Sequence, residues 1–320
     1  TTYYGLPPCF EEYPHLRKRI GELVDQTAYV HFMRKLNKQP QKPVIALTKD
    51  DSIANQAFLP YLEDNFEIIS NHADAHYIKQ HFRLAPYSTR FYKYSETQYG
   101  NVTDFYGSVY NELIEKKIDR SAFQLKDLTI EPAKNFLKSY GLKETDDFIV
   151  LHLRERGFVD QDFYKFRNVN PLDYMDAIDW LLSLGLKVVR IGHSKMTPLP
   201  ERNGLIDLTC VDRPDEVDIY LCARAKFYYG SMSGPVALAI HFGSKILATS
   251  TNIYGLNTPN ALFQMLPFYV PQKQKPLSLD EIDALGLNMS QGISSQEIAV
   301  GNNLQPLFFK NADHLNSVKE

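Results

Sequence analysis

Residues 148–168 read FIVLHLRERGFVDQDFYKFRN, a candidate buried strand running directly into a cluster of arginines. Phe148, Ile149, Val150 and Leu151 form the short apolar run that fills the middle of a parallel sheet, where both faces are covered. His152, Arg154 and Arg156 follow at alternate positions, so an extended chain points all three the same way. Like charges gathered on one face repel unless an anion joins them, and the planar guanidinium fork suits phosphate oxygens. A second use of the same residues is structural: Arg154 or Arg156 pairing with Glu155, Asp160 or Asp162 in an ion-pair network.

Outward from this strand the second half alternates strand and helix patterns. Asn170-Pro171 supplies an N-cap with proline at the first helical position, and Tyr174, Ala177, Ile178, Leu181 and Leu182 form an apolar helical stripe that Gly185 closes. Strands are expected at 187–191, 205–208, 227–229 and 246–248, with helices at 215–225 and 235–242 between them. Strands separated by helices imply right-handed crossovers and a parallel, doubly wound sheet. Such sheets bind ligands beyond the carboxyl ends of their strands. Those ends carry Arg154 and Arg156, then Gly192 and His193, then Thr209, then Tyr229 to Gly234 (YGSMSG), then Thr249 to Asn252.

YGSMSG is the second informative segment. Ser231, Ser233 and Gly234 expose backbone N–H groups ahead of the helix at Pro235, where a diphosphate fits. Ser-Gly before proline also makes a helix start with no ligand at all. His193 follows the strand KVVRIG and either contacts phosphate or ribose or caps its own loop, while Asp218 reads as an exposed or capping residue. There is no GxxxxGK[ST] loop and no GxGxxG fingerprint, which removes the main support for P-loop nucleotide hydrolysis and dinucleotide redox chemistry. Asp160-Gln161-Asp162 offers carboxylates that can hold a divalent cation between diphosphate oxygens, although D-x-D is common by chance.

The first half reads as a less regular α/β domain, with strands at 44–47, 67–70 and 90–94 and helices at 53–65, 75–81, 104–118 and 131–140, the last closed by Gly141. The charged segment 143–147 is the expected hinge. The domain expectation is therefore 1–145 for an irregular α/β domain, 146–270 for a doubly wound, Rossmann-like domain, and 271–320 for a tail with a Ser278-capped helix. A tyrosine-rich stretch, 87–110, is either a groove for a sugar or lipid or part of a domain interface.

The bulk numbers restrict the class. The chain has 320 residues, 44% hydrophobic and 23% charged, an ordinary globular composition with room for two domains. A net charge of -3 argues against nonspecific nucleic-acid binding, which needs a basic surface. Cys9, Cys210 and Cys222 are scattered and without CxxC spacing, so neither a disulfide framework nor a zinc site is expected and a cytoplasmic location fits. No apolar run reaches the roughly 18 residues of a membrane span. The start at Thr1 reads as an excised domain and leaves an upstream anchor or partner domain open.

The order HLRERGF, Arg167-Asn168, Tyr174, Ala177-Ile178, VVRIGH, IDL, Asp218 to Ala223, YGSMSG and FGSK resembles a family of bacterial surface-carbohydrate glycosyltransferases. More distantly it resembles the fucosyltransferase-like enzymes that carry an H-x-R strand end. The resemblance covers mainly residues 148–252. It implies a GT-B architecture, two Rossmann-like domains facing a cleft, with a nucleotide-sugar as substrate, no cofactor and no metal. Arginines and backbone amides then stabilise the diphosphate leaving group. Arg154 takes the place of the H-x-R arginine, and Ser231, Ser233 and Gly234 that of the serine-glycine turn. The implied donor site comprises His152, Arg154, Arg156, Arg167, Asn168, Gly192, His193, Ser231, Ser233, Gly234 and Asn252. Arg154, Glu155 and Asp160 are the catalytic candidates, with Asp162, Asp50 and Asp51 as further carboxylates that can serve as base. Partners implied are the nucleotide-sugar donor and a glycan or lipid-linked acceptor, at the inner face of the membrane, and the tail returns to the first domain. A non-catalytic nucleotide- or glycan-binding module of a larger biosynthetic protein is the rival class.

Overall fold

The computed structural model describes residues 9–10, 19–36, 38, 41–47, 53–82, 92–93, 99–100, 102–157, 167–251, 260–270, 275–285, 305–306 and 309–320. Two units divide the chain: 1–125 with His241–Gly243, and 126–240 with 244–320. The first unit runs β1 (Cys9–Phe10), α1 (Ile20–Leu36), β2 (Val44–Ala46), a 3₁₀ turn at Gln56–Phe58, α2 (Leu59–Glu63), β3 (Glu67–Ile69), α3 (His72–Phe82), β4 (Tyr92–Lys93), β5 (Tyr99–Gly100) and α4 (Val102–Glu115). Strands β1, β2 and β3 lie side by side in parallel, and β4 with β5 forms a separate antiparallel pair. Aromatic rings fill part of the interior: Phe58 stacks on Tyr61 at 5.4 Å and meets Phe123 edge-on at 5.3 Å. The tyrosine-rich stretch and the far end of the strand expected at 90–94 lie largely outside the described residues.

The second unit holds α5 (Asp127–Ser139), β6 (Phe148–His152), a 3₁₀ turn at Pro171–Tyr174, α6 (Met175–Ser183), β7 (Lys187–Arg190), β8 (Leu205–Asp207), α7 (Asp215–Arg224), β9 (Tyr228–Ser231), α8 (Gly234–His241), β10 (Ile246–Thr251), β11 (Ala261–Met265), β12 (Phe268–Val270), β13 (Lys275–Pro276), α9 (Leu279–Ala284), β14 (Gln305–Pro306) and α10 (Asn311–Lys319). Six strands form one parallel sheet in the order β11-β10-β9-β6-β7-β8. Counted from β6 this is the 3-2-1-4-5-6 order of a doubly wound sheet, so the expected α/β class stands and gains a sixth strand. The chain leaves β6 toward β7 and β8, then crosses back to β9 on its other side. The switch point therefore lies between β6 and β9.

All five residues of β6 are buried, as a central parallel strand requires. Ile149, Leu151 and Leu153 pack with Tyr174, Ala177, Ile178 and Leu181 of the turn and helix that follow, and alternation sends His152 to the opposite face with Val150. Asn170 caps that turn by accepting the Leu172 N–H at 3.3 Å, with Pro171 behind it, as its sequence implies. Ser278 accepts the Glu281 N–H at 3.2 Å while Glu281 accepts the Ser278 N–H at 2.9 Å, the reciprocal cap expected of this tail.

Two boundaries differ from expectation. Helix α5 belongs to the second unit, because Thr129, Ala133 and Leu137 bury a face and the helix packs along α7, so the division falls at 125/126 and not at 143–147. Helix α10 packs on α6, with Val318 against the second unit's core, so this part of the tail does not return to the first domain.

Strand β9 approaches β6 very closely at Gly230. A Cβ there would lie 2.1 Å from the His152 carbonyl oxygen, and φ is +138°, a value that L side chains rarely adopt. At Gly192 the nearest obstacle is instead the mobile end of Met196, 2.2 Å from the built Cβ. Gly230→Ala is therefore expected to cost at least about 2 kcal/mol, backbone strain added to backbone clash. Gly192→Ala should cost less, and urea unfolding of the two variants compares them directly.

Candidate active site at the switch point

Ser231 joins the two strands that flank the switch point. Its Oγ accepts the Arg154 peptide N–H at 2.7 Å and donates to the His152 carbonyl at 3.4 Å, and its own carbonyl accepts the Tyr228 hydroxyl at 3.2 Å. The bond from Arg154 fixes where the arginine loop leaves β6. Arg167 reaches across with Nη2 to the Met232 carbonyl at 2.6 Å, bringing a second guanidinium to the YGSMSG loop. In that loop the Ser233 carbonyl accepts the Val236 N–H at 3.1 Å, which starts α8 beside Gly234. Arg154, Arg167, Ser231, Ser233 and Gly234 are thus brought together, within the second unit alone.

Strand pairing ends at His152 and the chain turns at Gly157, φ +109°, so sheet pairing supports the expected common direction of His152, Arg154 and Arg156 only at the first of them. His152 is buried, Arg154 half-buried and Arg156 exposed. Burial, with Arg190, Arg154 and His193 nearby, pushes the His152 imidazole down to about 3, so it stands neutral. Its Nδ1 has no hydrogen-bond partner among the described residues. His193 caps its own loop, Nδ1 accepting the Lys195 N–H at 3.2 Å, and burial lowers its pKa too. The Gly192 carbonyl accepts Arg213 Nη2 at 2.9 Å. Arg213 also grips Asp218 at 2.7 and 3.0 Å, which gives Asp218 a structural partner.

Glu155, expected as a catalytic carboxylate, has both oxygens occupied. Oε1 accepts Arg190 Nη2 at 2.7 Å, and Oε2 accepts the Thr197 N–H at 3.1 Å and the Thr197 hydroxyl at 2.6 Å. Arg190 is fully buried and also donates to Asp207 at 3.0 Å and to the Thr197 carbonyl at 2.6 Å. Asp207 in turn accepts the Thr209 N–H and hydroxyl and the Leu199 N–H at 2.7–3.1 Å. Burial alone would raise the Asp207 pKa, but Arg190 and these donors outweigh it and hold the carboxyl below its usual value. Sequence reasoning passed over Arg190, Thr197 and Asp207. The available signal was Arg190 itself, a charged residue between Val189 and Ile191 in an apolar strand.

Asn168 lines a cavity of about 230 Å³ with Asp173, Tyr174, Ser250, Lys310 and His314. The Tyr174 hydroxyl bonds Thr249 at 2.8 Å, its ring stacks on His314 at 3.7 Å, and Asp173 pairs with Lys310 at 3.3 Å. Asp160, Asp162, Asn252, Asp50 and Asp51 lie outside the described residues. Among the described residues no group of three or more His, Cys, Asp and Glu side chains could hold a metal ion, and no helix is long and apolar enough to cross a membrane.

No protein-family model and no curated protein matches the chain. Among solved structures it is similar to the glycosyl transferase family 9 protein from Veillonella parvula, at 15% identity over 92% of this chain and 94% of that one, TM-score 0.47. It is similar also to the E. coli ADP-heptose lps heptosyltransferase II, at 10% identity over 89% and 96%, TM-score 0.46. The E. coli heptosyltransferase WaaC with ADP matches at 13% identity over 86% and 97%, TM-score 0.36. None of these likenesses assigns a residue of this chain.

The buried imidazoles set a pH dependence of stability. His152 is held at about 3 and His314, by burial, at about 4, against 6.5 for the exposed group. Below pH 6.5 the unfolded chain takes up these protons and the folded chain does not, so stability is full above that pH and falls as pH drops toward 4 and then 3. Each imidazole accounts for about 2 kcal/mol between pH 8 and pH 5. Urea unfolding at the two pH values measures the total, to which His31 and His193, also lowered by burial, add, and His152→Asn should remove about 2 kcal/mol of it.

Proposed function

We propose that the protein is a nucleotide-sugar-dependent glycosyltransferase of the GT-B type, with the donor diphosphate held at the switch point of the second unit. The observation that carries this reading is the pairing of Arg154 and Arg167 with the Ser231–Gly234 loop, beside a carboxylate, Glu155, already engaged by Arg190. An anion entering there meets guanidinium groups and the N-terminus of an eight-residue helix. His152-Leu153-Arg154 supplies the H-x-R strand end, and Arg156, exposed at the loop tip, adds charge at the entrance.

Transfer from a nucleotide-sugar passes through an oxocarbenium-like state while negative charge grows on the departing diphosphate. Arg154 and Arg167 stabilise that charge, and the loop amides contribute without reorganising during the reaction. The acceptor hydroxyl loses its proton to a carboxylate if the reaction inverts. Asp160 keeps that role in this proposal, whereas Glu155 is assigned to holding Arg190 and Thr197. The acceptor is a glycan or lipid-linked sugar of a bacterial surface polysaccharide, met at the inner face of the membrane. Charge supplied by arginines takes the place of a bound cation.

A panel of ADP, GDP, UDP, TDP and CMP at millimolar concentration tests the donor site by thermal shift. At a concentration 100 times Kd the correct nucleotide adds about 2.7 kcal/mol of stability and raises Tm. No shift with any member, on folded protein, overturns the donor assignment. Arg154→Ala should abolish release of nucleotide from the matching nucleotide-sugar while leaving the unfolding transition in place. Binding without any turnover by the wild type would instead identify a non-catalytic module.

A further inference from the structure

The fully buried Arg190 lies outside the proposed donor contacts, yet it ties the loop after β6, which carries Arg154, to the loop after β7 and the end of β8. It sits at the end of β7 directly opposite Leu151 of β6. From there one guanidinium spans Glu155 in the loop after β6, the Thr197 carbonyl in the loop after β7, and Asp207 at the end of β8. Glu155 closes the ring by accepting both the N–H and the hydroxyl of Thr197. Arg154 and Arg156 flank Glu155 in sequence, and His193 precedes Thr197 by four positions.

We infer that Arg190 is a positioning residue for the anion site, fixing the loops after β6 and β7 in the one arrangement that presents Arg154 and Arg156 to a diphosphate. The inference rests on the donor reading above. A lysine at this position carries the same charge but is a point donor on a flexible stem and cannot span two carboxylates and a carbonyl with planar geometry. A neutral side chain leaves Glu155 and Asp207 buried without their cation, which threatens the fold as well as the site. A purely structural role and a positioning role therefore look alike in the single neutral variant, and a compensated variant separates them.

The probe is inorganic pyrophosphate, which carries the shared diphosphate chemistry with no base or sugar, titrated calorimetrically into the intact chain. The triple variant Arg190→Met/Glu155→Gln/Asp207→Asn removes the cation and both of its carboxylates. Its local charge is one unit more positive than that of the wild type, so electrostatics alone would tighten pyrophosphate binding. Positioning predicts the reverse: a Tm close to wild type with Kd raised about ten-fold or more. Arg190→Lys, which keeps the charge and loses the bridge, should also raise Kd about ten-fold. Wild-type affinity in either folded variant overturns the positioning role while the donor site stands. If the wild type itself fails to bind pyrophosphate and every nucleotide of the panel, the donor reading falls and takes this inference with it.

Discussion

A guanidinium with no exposed surface must find its counter-charges inside the protein, and Arg190 finds them in the loop after β6 and at the end of β8. Removing such a group from water costs several kcal/mol, recovered only when its hydrogen bonds and charge are nearly all answered. Glu155 and Asp207 answer its charge, and with the Thr197 carbonyl they take the Nη1 and Nη2 bonds at 2.6–3.0 Å, while Nε has no partner among the described residues. The carboxyl ends of β6, β7 and β8 are thereby tied to a common point. Arg213 repeats the device one layer out, linking the Gly192 and Leu208 carbonyls to Asp218 on α7. Glu155 is thereby turned inward to a partner, with Arg154 half-buried and Arg156 exposed on either side of it in sequence.

The other side of the switch point is set by backbone proximity and not by charge. Gly230 lets β9 come so close to β6 that the next residue, Ser231, exchanges hydrogen bonds with the chain on both sides of Leu153. That contact fixes the height of the YGSMSG loop against the arginine loop. Arg167 then adds a side-chain bond to the Met232 carbonyl, so the loop is held from two directions. In the proposed reaction a loop held in this way would offer its N–H groups to an anion without reorganising as charge develops.

Much of the second unit was legible because its strands are short apolar runs closed by glycine. FIVLH, KVVR and YYGS sit where the pattern puts them, and Gly141 and Gly185 end their helices with φ near +80°. Strand β11, ALFQM, escaped because it is an edge strand with Leu262 largely exposed, and its pattern is weak. Helix α1 escaped for the opposite reason: Leu23, Val24, Thr27, Ala28, Tyr29, Val30, Phe32 and Met33 are buried around most of its circumference, so no single apolar stripe stands out. At the site, residue types were readable and directions were not. Alternation predicts that His152, Arg154 and Arg156 share a face only while the chain stays extended, and pairing stops at the first of them. The carboxylates that neutralise Arg190, Glu155 and Asp207, lie 35 and 17 residues from it, which no local pattern encodes.

The neutral groups nearby follow from the same electrostatics. His152 lies near Arg190 and Arg154, and a proton on its ring would add a third positive charge in a dry environment, so the ring stays neutral. Across the sheet edge, Tyr174, Thr249 and Ser250 meet through hydroxyls, which satisfy one another without charge. The positive charge acting on His152 is that of arginine, whose pKa lies too high for burial to discharge it. A lysine in the same surroundings would lose its proton far more readily. The arginine charges persist across the pH range in which the buried histidines still permit the fold, so the same burial that weakens the protein in acid leaves those charges intact.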